Sequence, residues 1–486
     1  MSEQELTEIA AGYRAALPME NGWEFSLTPL DRVGQPLWAL GLWGSDHIFV
    51  DGFGYGATPA GAQLSALGEA AENYFASRAL RKMPRRNASY VELREAGFPA
   101  VDPVSLCLNA GCNYTPNRPM TWVGGFRYPS REPVLLPIEA VAIGFNDISP
   151  AAHQQSWVME PITNGLGAGF TLEQALTHGI LELLQRDGDS VSFRALDRGI
   201  QIELDDVQNP GTLELLRKLD EEGIDVIAKL AEVDCGVPVI YVVGCDRDIH
   251  RPPFPLMLSA CGEAAAPDRE RALEKALREY VSSRARKRFM HGPLDDVASV
   301  APKAYMDRLF ADPYDGEGEE ARALHSVLQW VQMPREKFYQ VIRDPILTVG
   351  SQVRFSELPS SNGGLPFLAG KLQEEGLEIL YADFSEPHTG VFAVKAIVPG
   401  LEVETISYGR IGARNLRRLL QRGSKIASIG GQPEGALPIH LSPADEERFG
   451  GPAWLHPDEL HRTVGKLYGL YREPNGHSVA RILENR

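Results

Sequence analysis

The sequence contains no run of eighteen apolar residues, so no segment is long and greasy enough to cross a bilayer as a helix. It has no Walker-type loop, no Gly-x-Ser-x-Gly elbow and no His-Glu-x-x-His. P-loop phosphoryl transfer, α/β-hydrolase chemistry and zincin-type proteolysis therefore lack their usual carriers. Positive charge is also short: 48 Lys and Arg stand against 65 Asp and Glu, a formal charge of −17. Such a balance argues against nucleic-acid or anionic-membrane partners, which are gripped by clustered cations. Cysteine is sparse. Cys107 and Cys112 are separated by four residues, and no second Cys/His pair stands at zinc-ligand spacing. Five reduced thiols are expected. The start, Met-Ser-Glu-Gln-Glu, lacks the basic and apolar regions of a secretory signal, so a cytoplasmic protein is expected.

What is present is ample. The chain has 486 residues, 43% of them hydrophobic, enough for two or three packed lobes. Strand-like runs (Leu37–Val50, 122–128, 134–143, 225–233, 237–245, 377–384, 391–398) alternate with amphipathic stretches, which places the chain in the α/β class. Glycine-rich segments at Gly52, Gly54 and Gly56 and at 164–169 read as turns. A lead-in over residues 1–24, a main domain over 25–425 and an extension over 426–486 are expected.

Three helices follow one template. They start at Thr58, Thr171 and Asp268, each a good N-cap residue shortly after a glycine. Four residues on stand Ala62, Ala175 and Ala272; eleven on stand Glu69, Glu182 and Glu279; fourteen on stand Glu72, Gln185 and Ser282. Positions 4, 11 and 14 share a helix face. Each glutamate lies roughly 16 Å from its N-cap, too far to share an anion with the helix terminus. Converging carboxylates of this kind suit a hard divalent cation such as Mg²⁺. Ion pairing with arginines on solvated faces is the alternative.

At these residues the sequence resembles the YcaO family. The matching stretches are SALGEAAENY (65–74), NGLGAGFTLEQALTHGILELLQRD (164–187) and CGEAAAPDRERALEKALREYVSSR (261–284). LDRVGQPLWAL (30–40), PMTWVGGFRYPSREPVLLPIEAV (119–141) and AVKAIVPGLE (393–402) match as well. The resemblance implies mixed sheets with long helices lining a central nucleotide-type cleft. It implies an ATP- and Mg²⁺-dependent enzyme that activates a backbone amide of a ribosomally made precursor peptide, giving an azoline, thioamide or amidine. Glu69, Glu72, Glu182 and Gln185 are the implied metal ligands. Ser65, Asn164, Arg186, Glu279 and Arg284 are the implied nucleotide contacts. A homodimer, and a possible partner protein, are expected besides the peptide.

The chain departs from the family pattern at four positions: Tyr55 for Lys, Asn73 for Arg, Gln185 for Glu and Ser282 for Gln. Each change removes charge or reach toward phosphate or metal, so ATP binding is expected to be weak or lost. Two readings compete with a peptide-modifying enzyme: a degenerate homologue that binds peptide or regulates a partner, and an ATP-independent metal-assisted enzyme on the same fold. His178, Asp383 and His388 are lesser site candidates, and the basic run 282–289 has a solvated helix end as its plain reading.

Overall fold

The three template helices form at Pro59–Leu80 (α1), Leu172–Asp189 (α2) and Arg269–His291 (α3). Thr171 and Asp268 cap as expected, accepting from Gln174 N–H and Glu270 N–H. Of the glycine-rich lead-ins, only Asn164–Gly165, with Gly165 at φ 87°, is a turn as read. Each lead-in is otherwise a strand that runs into its helix: Phe49–Tyr55 (β1), Leu166–Gly169 (β2) and Ala260–Ala265 (β3). Glycine serves here to bring strand and helix backbones together. A Cβ on Gly54 would sit 2.1 Å from the Ala62 carbonyl oxygen, and one on Gly167 the same distance from that of Ala175. On Gly262 it would meet the Ala276 carbonyl oxygen, also at 2.1 Å. The template alanines Ala62 and Ala175 are the other half of that contact in the first two units, and Ala276, one turn after Ala272, is in the third; Ala62, Ala175, Ala272 and Ala276 are all buried.

The computed structural model describes residues 2–17, 21–44, 46–148, 157–191, 199–311 and 320–484. The second template helix ends within them, at Asp189 with Ser190 as its C-cap. The chain forms two compact units. The first takes in Met1–Ala70, Ser192–Asn362 and Val464–Arg486, and the second Ala71–Val191 and Gly363–Thr463. Residues 426–463 thus belong with the second unit and 464–486 with the first.

In the first unit, Asn21–Ser26, Leu37–Trp43 and β1 make a three-stranded antiparallel sheet. A five-stranded sheet runs β3, Val239–Asp246, Ile224–Glu232, Ile200–Glu203, Ser351–Arg354, with only the last pair parallel. Its core joins Ile240, Val242, Leu219 and Leu277, all almost fully buried. The proline-interrupted region after 291 is mostly helical. Pro345 even lies inside the helix Arg335–Leu347, near its end, where burial of Phe338, Ile342 and Ile346 holds the last turn.

In the second unit, an antiparallel sheet has the order Arg86–Ala88, Met120–Tyr128, Ile379–Asp383, Phe392–Ile397, β2, and Pro133–Pro137 adds to Met120–Tyr128. The stretch 134–143, read as one strand, ends at Pro137 and turns into the short helix Ile138–Val141. Mixed α/β sheets and long helices are therefore as the sequence implied.

Candidate active site

The shared glutamate spacing has a geometric origin. Eleven helical residues rise roughly 16 Å, and five strand residues span about 17 Å. A strand that turns straight into a helix therefore brings the carboxylate at position 11 level with a backbone N–H five or six residues before the cap. All three glutamates make that bond. Glu69 Oε2 accepts from Phe53 N–H at 2.7 Å, Glu182 Oε2 from Gly165 N–H at 3.0 Å, and Glu279 Oε2 from Glu263 N–H at 3.1 Å. The repeat thus fixes one oxygen of each carboxylate before any ligand arrives.

Within the second unit, several implied site residues come together around β2 and α2. Glu72, in the part of α1 belonging to this unit, accepts from Ala168 N–H of β2 at 3.1 Å. The same oxygen lies 3.7 Å from His178 Nε2. His178 is half-exposed and stands one turn before Glu182 on α2. Glu182 keeps an i, i+4 pairing with Arg186 at 3.7 Å, and Arg186 also reaches Glu404 at 4.0 Å. Gln185 is half-buried on the same helix. Asn164 is buried beside Gly165, and its Nδ2 has no hydrogen-bond partner among the described residues. A buried amide donor without an acceptor is costly unless a ligand supplies one.

Lys395 was missed by sequence reasoning. It lies on Phe392–Ile397, paired in register with Leu166 of β2, and is almost fully buried. Its ammonium group donates to the carbonyls of Ala142 (2.8 Å) and Ile162. Burial, with Arg410 adding to it, pushes the Lys395 pKa down to about 7, against the pull of Glu182 and Asp147. The signal was available: a lone lysine in the apolar run AVKAIV. Because the folded-state pKa lies below the unfolded one, Lys395 favours the folded state above its unfolded pKa. That contribution is lost as pH falls from near 10 through about 7. Lys395→Met should therefore flatten the dependence of Tm on pH over that window. Identical profiles for both proteins would remove Lys395 from this account.

A second buried network closes the same unit. Asp187, the residue after Arg186, pairs with Arg414 (3.1 Å) and Arg418 (2.8 Å), whose charges hold its carboxyl below the usual range despite burial. Glu402, which ends the AVKAIVPGLE match, accepts from Gly412 N–H and Asn415 N–H and so anchors the N-terminus of the helix Ala413–Gln421.

The first-unit residues divide. Ser65 and Glu69 are exposed on α1. Glu279 is half-buried. Arg284, read from the resemblance as a nucleotide contact, has no exposed side-chain surface: its guanidinium pairs with Asp31 at 2.8 Å and Asp246 at 2.6 Å. Lys287 is likewise buried and donates to Ser259 O, so the run 282–289 is not a solvated helix end. Ser282 is buried too. Its hydroxyl donates to Arg278 O at 2.8 Å and accepts from Gln35 Nε2 at 2.9 Å. Restoring the family's glutamine by Ser282→Gln should overpack this spot, at a cost of about 1–3 kcal/mol. The expected result is a lower Tm with no gain in nucleotide affinity; a stable variant that binds ATP more tightly would overturn it. Asp383 and His388 serve local turns: Asp383 accepts from Ser385 N–H, and His388 lies 3.5 Å from Glu386 on the surface.

Among the described residues no three His, Cys, Asp or Glu side chains are grouped closely enough to hold a metal by themselves. The expected convergence of Glu69, Glu72 and Glu182 is therefore not seen among them; Mg²⁺ is commonly held by one or two carboxylates together with substrate phosphates. The pre-anchored carboxylates of Glu72 and Glu182 supply hard oxygens, and Asn164 Nδ2 supplies an unclaimed donor for a phosphate oxygen.

Three strand-to-helix units, each with an anchored glutamate, mark an α/β protein of mixed sheets and long helices. A family model described as YcaO cyclodehydratase, ATP- and Mg²⁺-binding, matches residues 53–402, and the chain belongs to the YcaO family. An uncharacterised protein of Methanothermobacter thermautotrophicus is 29% identical over 392 residues, 80% of this chain and 91% of that one. An uncharacterised protein of the tfuA 3′ region in Rhizobium leguminosarum bv. trifolii is 24% identical over 396 residues, 80% and 85% of the two chains. Among solved structures, the YcaO protein from Methanopyrus kandleri bound with AMPPCP and Mg²⁺ aligns with a TM-score of 0.56 at 20% identity, covering 85% of this chain and 94% of that one. A heterocyclase in complex with substrate and cofactor aligns with a TM-score of 0.55 at 19% identity over 80% of this chain, which spans about half that heterocyclase's length.

Proposed function

We propose that the protein is a YcaO-type enzyme that uses ATP and Mg²⁺ to activate a backbone amide of a ribosomally made precursor peptide. The observation that carries this reading is the pair Glu72 and Glu182, held by the backbone N–H groups of Ala168 and Gly165, with the buried Asn164 next to Gly165 and its Nδ2 without an acceptor among the described residues. An amide oxygen is a poor leaving group. In this chemistry a nucleophile adds to the amide carbonyl carbon, the oxygen takes the γ-phosphoryl group of ATP, and the C–O bond then breaks to release phosphate. Mg²⁺, when bound, neutralises phosphate charge as it builds. The chain's own part is to orient. Glu72 and Glu182 present fixed oxygens, Asn164 donates to a phosphate oxygen, and Arg186, close to both Glu182 and Glu404, adds positive charge beside the phosphates.

Gln185 and Asn73 keep polar reach without charge, which favours weak nucleotide affinity in the isolated chain. The second reading, a homologue that holds peptide or a partner protein without turnover, rests on the same two residues. Calorimetry with ATP, with Mg²⁺ and with both, followed by phosphate release in the presence of a precursor peptide, separates the two. Joint binding of ATP and Mg²⁺ with peptide-stimulated release supports the enzyme. Peptide binding with no release under any nucleotide condition supports the second reading.

A further inference from the structure

β1 has two faces. Gly52 and Gly54 meet α1, and the alternate residues Phe49, Asp51 and Phe53 face the opposite way, into a cavity of about 280 Å³ inside the first unit. Aromatic rings supply much of its wall. Trp23 meets Tyr305 edge-on at 5.1 Å, and Phe25 lies 5.8 Å from Phe289. The volume is close to the lower end for small-molecule sites, roughly 300 Å³.

Charge of both signs is set into this apolar wall. Asp51 receives no hydrogen bond or ion pair from any other described side chain. It keeps accessible surface in the cavity, yet the crowding protein pushes its carboxyl pKa up, with Arg286 opposing. Arg308, its guanidinium 3.8 Å from the Trp43 ring centroid, and Arg481 also line the cavity. His477 completes the lining. It is 4% exposed and sits in the left-handed region at φ 67°, where a non-glycine residue is strained. Burial drives its pKa down to about 4, so the ring is neutral near pH 7. Tyr305 OH occupies Nε2 at 2.6 Å, and Nδ1 is buried with no partner among the described residues.

An unpaired carboxylate, an unpaired imidazole nitrogen and two guanidiniums around aromatic rings are poorly matched by a ligand of one charge sign. A purely apolar guest would leave the polar groups unsatisfied. We propose that this cavity binds a free apolar α-amino acid, its ammonium at Asp51, its carboxylate at Arg308 or Arg481, and its side chain among Trp23, Phe53 and Phe289. The site is independent of the nucleotide reading, because none of these residues belongs to it.

Titration calorimetry of the full chain with L-phenylalanine and L-leucine tests the assignment, with phenethylamine and 3-phenylpropionate as the single-charge controls. Saturable binding of at least one amino acid is expected. It should weaken by about tenfold or more in Asp51→Asn, and for each control to a similar degree. Asp51→Asn replaces a crowded charge by a neutral isostere, so its Tm should be unchanged or higher, and lost binding then reports the site itself. No saturable binding of either amino acid at millimolar concentration would overturn the proposal. So would affinity unchanged in both Asp51→Asn and Arg308→Met, or a control that binds as tightly as phenylalanine.

Discussion

Replacing Glu72 with glutamine is expected to abolish Mg²⁺-dependent nucleotide binding while leaving the fold in place. The two effects separate because of how the side chain is used. One oxygen of Glu72 accepts from Ala168 N–H, and the carbonyl oxygen of glutamine can go on accepting there. What the substitution removes is the negative charge offered to the metal. A charge-assisted contact contributes about 1.5–3 kcal/mol, so affinity for the ATP–Mg²⁺ pair should fall by at least about tenfold. Tm without ligand should hold or rise slightly, since one of the neighbouring carboxylates is neutralised. Glu182→Gln should behave alike, because Gly165 N–H keeps its acceptor. Calorimetry with ATP and Mg²⁺ together is the measurement. Undiminished joint binding in both variants would place the nucleotide elsewhere and sink the proposed site.

Replacing Arg284 with methionine is expected to cost about 3–5 kcal/mol of stability, the largest loss foreseen for a single change in this protein. Arg284 Nε donates to Asp31 Oδ2 and Nη1 to Asp246 Oδ2, and Nη1 also donates to Met257 O at 2.9 Å. All three ionic side chains are buried, at 3% exposure or less. Removing the cation leaves two carboxylates with less compensation in a medium that solvates them poorly; Arg32, which also contacts Asp246, is the remaining cation. Arg284→Lys should fall between, because a point charge replaces a fork that serves both carboxylates. Chemical denaturation checks the ranking. Wild-type stability in Arg284→Met combined with lost ATP binding would return Arg284 to the nucleotide contacts implied by the resemblance.

The sequence by itself determined the α/β class, the three template helices, their caps and the family. Those features rest on local chemistry: capping oxygens, apolar period and the order of motifs along the chain. Sequence also placed Glu69, Glu182 and Glu279 at one common helical position. Only the tertiary structure showed what that position is for. The eleven-residue offset matches about five extended residues, so each carboxylate first secures a backbone N–H of its lead-in, in the strand at Phe53 and Glu263 and just before it at Gly165. Gly54 and Gly167 looked like turn residues because a sequence does not reveal whether a missing Cβ serves a positive φ or a close backbone approach; at both, and at Gly262, it is the approach. Arg284 looked like a ligand residue, and Ser282 like a lost one, for a similar reason. Their motif names a helix position, but burial depends on Asp31, Gln35 and Asp246, which lie between 38 and 253 residues away in the chain. Lys395 gives the converse case. A lone lysine in an apolar strand is a sequence signal, but only the carbonyls of Ala142 and Ile162, brought over it by the fold, explain how such a charge is buried. Pairings over such separations are decided by chain topology and packing, which no local pattern encodes.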